Sequence, residues 1–404
     1  MLKSSIGSID LDCCVYNASG PRSGTFEALS KVGGSRAGAI LSKSCTLVKQ
    51  NGNELPRAIS GLNLGPDVGE GSFNSEGLPN AGIDYYISSE NREALAEFNK
   101  PYILSLSGKS IADNCEMLGR ALEAGIDAVE LNLACPNVPG KPIIAYDFLS
   151  MKEACKRATD IISKYNSSGR APRPFTFGVK LAPYFDRPHF QEAVRIVTSF
   201  PIQFITTCNT IGNALFVDTN AECASITGNG GFGGLAGGYI KPTALANIRI
   251  ISELLEAEGR QDVKVVGVGG IASGEDAFEA ILCGASAVQI GSCHWTEGAK
   301  CFDRIAAELE DLMKSKGYSS IADFRGKLKP YQPHKAKATL TKKRGAVATG
   351  SGSSEAEEPL ILGIATMNSL VLVFSLLVGY FLADYLGYLP TFVPPPTYSG
   401  FNPT

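Results

Sequence analysis

Eight short apolar, β-branched runs recur through the first 325 residues, at 14–18, 38–42, 102–107, 128–134, 175–181, 204–209, 263–269 and 287–291. Between most of them lie amphipathic stretches of helical period, at 110–123, 150–164, 188–198, 242–256 and 275–282. Strands apolar on both faces that alternate with helices imply a parallel sheet covered by helices. Eight such units closing on themselves make an α/β fold of the (β/α)8 TIM-barrel type; an open doubly wound sheet is the alternative. The unusual polar and glycine-rich clusters follow the C-terminal ends of the candidate strands, which favours the barrel.

Composition narrows the function classes. The net charge of −3 gives no reason to expect a nucleic-acid partner. The chain has 11 cysteines without a C-x-x-C pair and only three histidines, His189, His294 and His334, so neither a zinc site nor a disulfide framework is expected. Most of the thiols read as core residues in a reducing compartment. The N-terminus shows no apolar secretory segment.

The last 80 residues differ in kind. From Phe324 to Ser354 there are eight Lys and Arg and no acidic residue, ending in a Gly/Ser-rich linker composition. Residues 359–383 then run for 25 positions without a charge. As a helix they would extend about 37 Å, enough for a hydrocarbon core of about 30 Å. A buried helix of a soluble domain is the other reading, but the linker isolates the segment from any core. The expected organisation is a barrel over 1–325, a linker over 326–358, a transmembrane helix over 359–383 and a Pro-rich tail over 384–404. The upstream basic stretch suggests a barrel held on the cytoplasmic side of a lipid bilayer, close to anionic headgroups; processing of the tail would leave it cytoplasmic.

Three sets of residues carry chemistry. Cys135 ends the run 128–134, between Asn132 and Asn137, before a loop held by Pro136, Pro139, Gly140 and Pro142. A thiol there suits proton transfer beside a flat, amide-rich substrate; a buried thiol in a turn is the plainer reading. Gly269 and Gly270 follow the seventh run, and Gly291 and Ser292 the eighth. In barrels these two loops often hold a phosphate on backbone N–H groups, although tight turns also use glycine. A third glycine-rich run, 228–238, reads as a mobile ligand-covering loop or a flexible crossover. Lys43 and Lys180 end the second and fifth runs. A lysine in an apolar strand needs an anion or electron-rich ring nearby, unless it reaches to the rim. Asn74, Asn132, Asn137 and Asn209 offer carboxamides that match alternating C=O and N–H groups, such as those of a pyrimidine, or serve as turn residues.

Together these stretches resemble the soluble, fumarate-linked class of dihydroorotate dehydrogenases, FMN enzymes built on a β/α barrel. The matching segments are 17–20, 41–44, 74–80, 132–142, 179–180, 208–213, 239–247 and 267–271, in order. The resemblance implies oxidation of (S)-dihydroorotate to orotate in pyrimidine (UMP) biosynthesis. Cys135 would remove the C5 proton while the C6 hydride passes to FMN, and fumarate would reoxidise the flavin. Lys43, Asn74, Gly77, Leu78, Asn132, Asn137, Asn209 and Thr210 would bind substrate. Ala18, Ser19, Lys43, Ser44, Asn132, Lys180, Gly237, Gly269, Gly270, Gly291 and Ser292 would bind FMN. No metal is implied, and a homodimer is. Because the thiolate is the base, flavin reduction is expected to accelerate as pH rises.

The chain departs from the family pattern at Ala134, where serine is usual, and at Glu76, where methionine is usual. The Glu76 carboxylate is expected to point away from a carboxylate substrate. Residues 61–71 read as an insertion, and the span at 359–383 is foreign to the pattern. That span motivates a membrane quinone as alternative acceptor, and the two substitutions motivate an inert, membrane-tethered flavin-binding scaffold as the non-enzyme alternative.

Overall fold

Each of the eight apolar runs forms a strand: β1 Val15–Asn17, β2 Ile40–Leu41, β3 Tyr102–Leu106, β4 Ala128–Asn132, β5 Thr176–Lys180, β6 Phe204–Thr207, β7 Lys264–Val268 and β8 Ala287–Ile290. The computed structural model describes residues 1–65, 69–135, 143–171 and 173–331. The strands pair in parallel in the order β1-β8-β7-β6-β5-β4-β3-β2, the cyclic order of a (β/α)8 barrel.

The β1/β2 seam closes by other means than a regular ladder. The Gly38 N–H donates to Val15 O at 2.9 Å. Asn17 then mimics a backbone unit: its Oδ1 accepts from Leu41 N (2.9 Å) and its Nδ2 donates to Leu41 O (2.6 Å). Gly38 is required here, because a Cβ would lie 1.8 Å from the Cys13 carbonyl oxygen.

Helix starts follow from short polar caps. Thr25, Ser110, Asp147, Asp186 and Ser273 each accept the N–H three residues on, at the heads of Phe26–Gly33, Ile111–Glu123, Phe148–Ser167, Arg187–Thr198 and Gly274–Cys283. Each such cap contributes about 1 kcal/mol. The helices bury one stripe against the sheet; Met117, Leu118, Ala121 and Leu122 are that stripe in Ile111–Glu123.

Three additions have no counterpart in the eightfold pattern. An N-terminal hairpin, Ser4–Ile6 with Ile9–Leu11, buries Ile6, Ile9 and Leu11 and turns at Gly7 beside Thr176, where β5 begins. A small hairpin, Val217–Asp218 with Cys223–Ala224, is largely exposed. An antiparallel sheet of Ile211–Leu215, Phe232–Gly237, Glu70–Asn74 and Ala58–Asn63 is built from the segments that follow β2 and β6. These segments leave the C-terminal ends of their strands, so the sheet caps that face. The glycine-rich run at 228–238 is therefore largely a strand and not a free loop. Its glycines permit close approach: a Cβ on Gly234 would lie 2.3 Å from Thr210 Oγ1. Of the stretch read as an insertion, residues 61–63 and 70–71 lie on the paired strands Ala58–Asn63 and Glu70–Asn74 of the same sheet.

The predicted linker, span and tail beyond residue 331 lie outside the described residues. Among the described residues, no helix is long and apolar enough to cross a membrane.

The barrel interior carries one polar knot. Glu130 of β4 is fully buried, and its Oε2 accepts from Thr206 Oγ1 (2.7 Å) and Gln289 Nε2 (2.6 Å). The same Gln289 Nε2 reaches Tyr16 Oη at 3.3 Å, so β1, β4, β6 and β8 meet at this point. Glu130→Ala should cost about 2–4 kcal/mol, since it leaves buried donors without acceptors. Chemical denaturation reads this directly, and unchanged stability would mean that the knot ties nothing.

Candidate active site

At the C-terminal rim, three strand ends are joined through one carboxamide. Asn132, the last residue of β4, donates from Nδ2 to Ser44 Oγ (3.1 Å), just beyond β2. Its Oδ1 accepts from the Ala134 N–H (3.1 Å) and from Asn209 Nδ2 (3.3 Å), just beyond β6. Asn209 Nδ2 also donates to Ala134 O (2.7 Å), and its Oδ1 accepts from Thr210 N (2.9 Å). Ser44 extends the network: its N–H donates to Ser19 Oγ (2.6 Å), and its hydroxyl lies 2.9 Å from Ser19 Oγ and 2.8 Å from Ser105 Oγ. Cys135 follows this frame by one residue and is half-buried. Ala134 is buried and takes part through its backbone, so the absent hydroxyl leaves the frame intact.

Two lysines stand beside it. Lys43 is 8% exposed and Lys180 4%, and neither ammonium has a hydrogen-bond or ion-pair partner among the described residues. Burial pushes the Lys43 pKa down from the ordinary lysine value, and the Glu76 carboxylate and Cys135 partly oppose that shift. The ammonium is thus within electrostatic reach of the thiol. A buried cation with no counter-charge at hydrogen-bond distance suits an anionic ligand or an electron-rich ring.

Substrate-side residues from the sequence reading are found on the capping sheet. Asn74 ends the strand Glu70–Asn74 and pairs with Gly234 in register. Gly77 and Leu78 follow with φ of +69° and +59°. At Gly77 a Cβ would fall 2.4 Å from Asn53 Oδ1, so glycine is required. Thr210 Oγ1 is buried and has no hydrogen-bond partner among the described residues. Asn137 lies outside the described residues.

The glycines form a second cluster. Gly237, Gly269 and Gly270 have φ of +68°, +128° and +71°. The Cβ position of Gly270 is 3.0 Å from Gly237 O, so the turns after β6 and β7 abut. Gly291 faces only the Ala18 methyl, at 3.7 Å, which leaves its backbone open for close approach. Ser292 Oγ lies 2.9 Å from Ser72 Oγ on the capping sheet. Among the described residues, buried hydroxyls without a hydrogen-bond partner occur at Ser107, Thr207 and Thr210, all at or just beyond strand ends. A glycine cradle, two buried ammoniums and these hydroxyls fit a bound phosphate-bearing aromatic cofactor.

Sequence reasoning missed Arg57 and Glu76 as neighbours. A cleft of about 830 Å³ is lined by Lys43, Arg57, Glu76 and Trp295, together with prolines and Leu55. Glu76 lines this cleft, and its Oε2 is 3.0 Å from Arg57 Nε, a pairing that offsets the repulsion behind the expectation that it points away from a carboxylate substrate. Nothing in the linear order of Arg57 and Glu76 signals the pair. Asn17 and Asn53 act on backbone atoms, and only the matched stretch 17–20 hinted at the first.

A barrel with its unpaired polar groups at the C-terminal rim is an enzyme scaffold with a ligand site at that face. The chain belongs to the dihydroorotate dehydrogenase family, whose profile matches residues 1–313. It is 44% identical over 332 residues to dihydroorotate dehydrogenase A (fumarate) of Lactococcus lactis subsp. lactis, covering 81% of this chain and 99% of that one. It is 44% identical over 314 residues to the Saccharomyces cerevisiae dihydroorotate dehydrogenase (fumarate), covering 77% and 93%. Eimeria tenella DHODH in complex with ferulenol superposes with a TM-score of 0.65 at 19% identity, covering 81% of this chain and 88% of that one, which supports the fold.

Because burial lowers the Lys43 pKa, affinity for a carboxylate ligand should begin to fall with rising pH before the ordinary lysine range is reached. Titration with orotate across alkaline pH checks this; affinity constant to the ordinary lysine pKa would remove Lys43 from anion binding.

Proposed function

We propose that the chain oxidises (S)-dihydroorotate to orotate, the redox step that makes the pyrimidine ring of UMP, and delivers the electrons to fumarate. The observation that carries this reading is Cys135 at the end of the Asn132–Asn209–Ser44 frame, within electrostatic reach of the buried Lys43. The names of relatives at 44% identity support the substrate and the oxidant.

The residues divide the work as follows. Asn132, Asn209 and Asn74, with backbone N–H groups near Gly77 and Leu78 and with Asn137 beyond the described residues, bind the ring and carboxylate. The shared hydrogen bonds of Asn132 and Asn209 fix both carboxamides before substrate arrives, so little ordering remains to be done on binding. Cys135, as thiolate, takes the C5 proton. In the return step the Cys135 thiol would give a proton to one alkene carbon of fumarate, and the hydride needed at the other carbon to complete succinate would come from the reduced flavin.

FMN is the flavin this reading assigns. Gly237, Gly269, Gly270, Gly291 and Ser292 would hold its phosphate. Ala18, Ser19, Lys43, Ser44, Asn132 and Lys180 would contact its ring system. When bound, the flavin accepts the two electrons and hydrogen that leave C6. Cys135→Ala should retain flavin and slow its bleaching by dihydroorotate by about 100-fold or more, the scale of lost general-base catalysis. Stopped-flow absorbance reads this; an unchanged rate removes Cys135 from the mechanism, and a wild-type protein that never bleaches is the inert scaffold.

We further propose that residues 359–383 anchor the barrel in a bilayer and that the catalytic unit pairs with a second copy. Support for the anchor is the 25-residue uncharged segment behind a basic stretch. Support for the pair is the exposed apolar group Leu215, Val217 and Phe232 on and beside the capping sheet. The quinone alternative draws on the same uncharged segment. Deleting residues 355–404 should move the protein from the membrane fraction to the soluble one, as a dimer in sedimentation, with fumarate turnover retained. Turnover with a quinone alone, lost on that deletion, would transfer the assignment to a quinone acceptor.

A further inference from the structure

Arg57 is held on three sides. Its Nη1 donates to Asn51 O (2.9 Å) and Asn53 O (3.2 Å), and its Nε lies 3.0 Å from Glu76 Oε2. Gly52, at φ +80°, makes room for it, since a Cβ there would lie 2.7 Å from Arg57 Nη1. Nη2 has no partner among the described residues. Arg57 and Glu76 line the same cleft as Lys43, and both side chains are largely covered, at 22% and 14% exposure. Two backbone carbonyls keep the guanidinium in place whether or not Glu76 is charged. Glu76 therefore acts less as a strut than as a negative charge paired with Arg57 in the cleft that Lys43 also lines.

We propose that Glu76, by offsetting Arg57 beside Lys43, is the residue that sets the discrimination of this cleft between monocarboxylate and dicarboxylate ligands. The inference rests on the functional reading above. Under that reading one face must accept a monoanion, dihydroorotate, and then a dianion, fumarate, and must release succinate, also a dianion. Lys43 and Arg57 without Glu76 would favour dianions by the square of their preference for monoanions. One carboxylate in the cleft lowers that bias and speeds the exchange of ligands. Coulomb energy is linear in ligand charge, so a single substituted charge acts twice as strongly, in logarithm, on a dianion.

The test is stopped-flow on the full chain loaded with flavin, at fixed low salt. Two second-order rate constants are read: flavin reduction by dihydroorotate, and reoxidation by fumarate. Glu76→Gln should raise the first by roughly three-fold and the second by roughly ten-fold, the scale of one half-buried charge seen through partial solvent screening. Arg57→Gln should lower them in the same two-to-one logarithmic ratio. Either variant decides the matter if the other does not fold. In both, the differences should shrink as salt is raised. Equal changes for the two ligands, or none, would overturn the inference. Failure of the wild-type protein to react with dihydroorotate would instead overturn the functional reading.

Discussion

The Asn132 carboxamide is the constraint on which the rest of the site depends. It occupies the last position of β4, accepts from the backbone of Ala134 and from Asn209, and donates to Ser44. Ends of β2, β4 and β6 are thereby held in fixed relation by one side chain. A barrel built from regular ladders leaves its strand ends to be joined by side chains, and the joining groups are also the ones that face a ligand. Rigidity of the frame and polarity of the site therefore come from the same atoms. The thiol of Cys135 inherits its place from this frame, one residue past Ala134.

Charge supplies the second half of the account. The rim holds buried ammoniums at Lys43 and Lys180, without a counter-ion at hydrogen-bond distance among the described residues. Such groups destabilise the unliganded fold and are compensated when an anion or an electron-rich ring binds. The nearest acidic group lining the cleft, Glu76, is itself engaged by Arg57. The glycine turns after β6 and β7 add backbone N–H groups at the same face, where side chains would collide with Ile240, Lys241 and the Glu70 carbonyl, while Gly291 after β8 leaves its backbone open.

Much of this was legible in the sequence because it is periodic or chemically costly. All eight strands were readable from β-branched runs, and Lys43 and Lys180 stood out as charges within them. Gly269, Gly270 and Gly291 declared themselves by position after the last strands. What was not legible depends on pairing at long range. The capping sheet joins residues 70–74 to residues 232–237, and its glycines read as flexibility because nothing local reveals a partner strand. Asn17 reads as an ordinary strand residue until its seam with Leu41 is seen. Glu76 read as a charge to be hidden, since the guanidinium that neutralises it belongs to the preceding strand's approach.

A crystal structure of the flavin-loaded chain with orotate tests the central claim most directly. The account predicts the ring held by the carboxamides of Asn132 and Asn209, its carboxylate toward Lys43, and C5 within contact of the Cys135 sulfur. Orotate seated away from the C-terminal rim, or a Cys135 sulfur turned from the ring toward packed hydrocarbon, would contradict it.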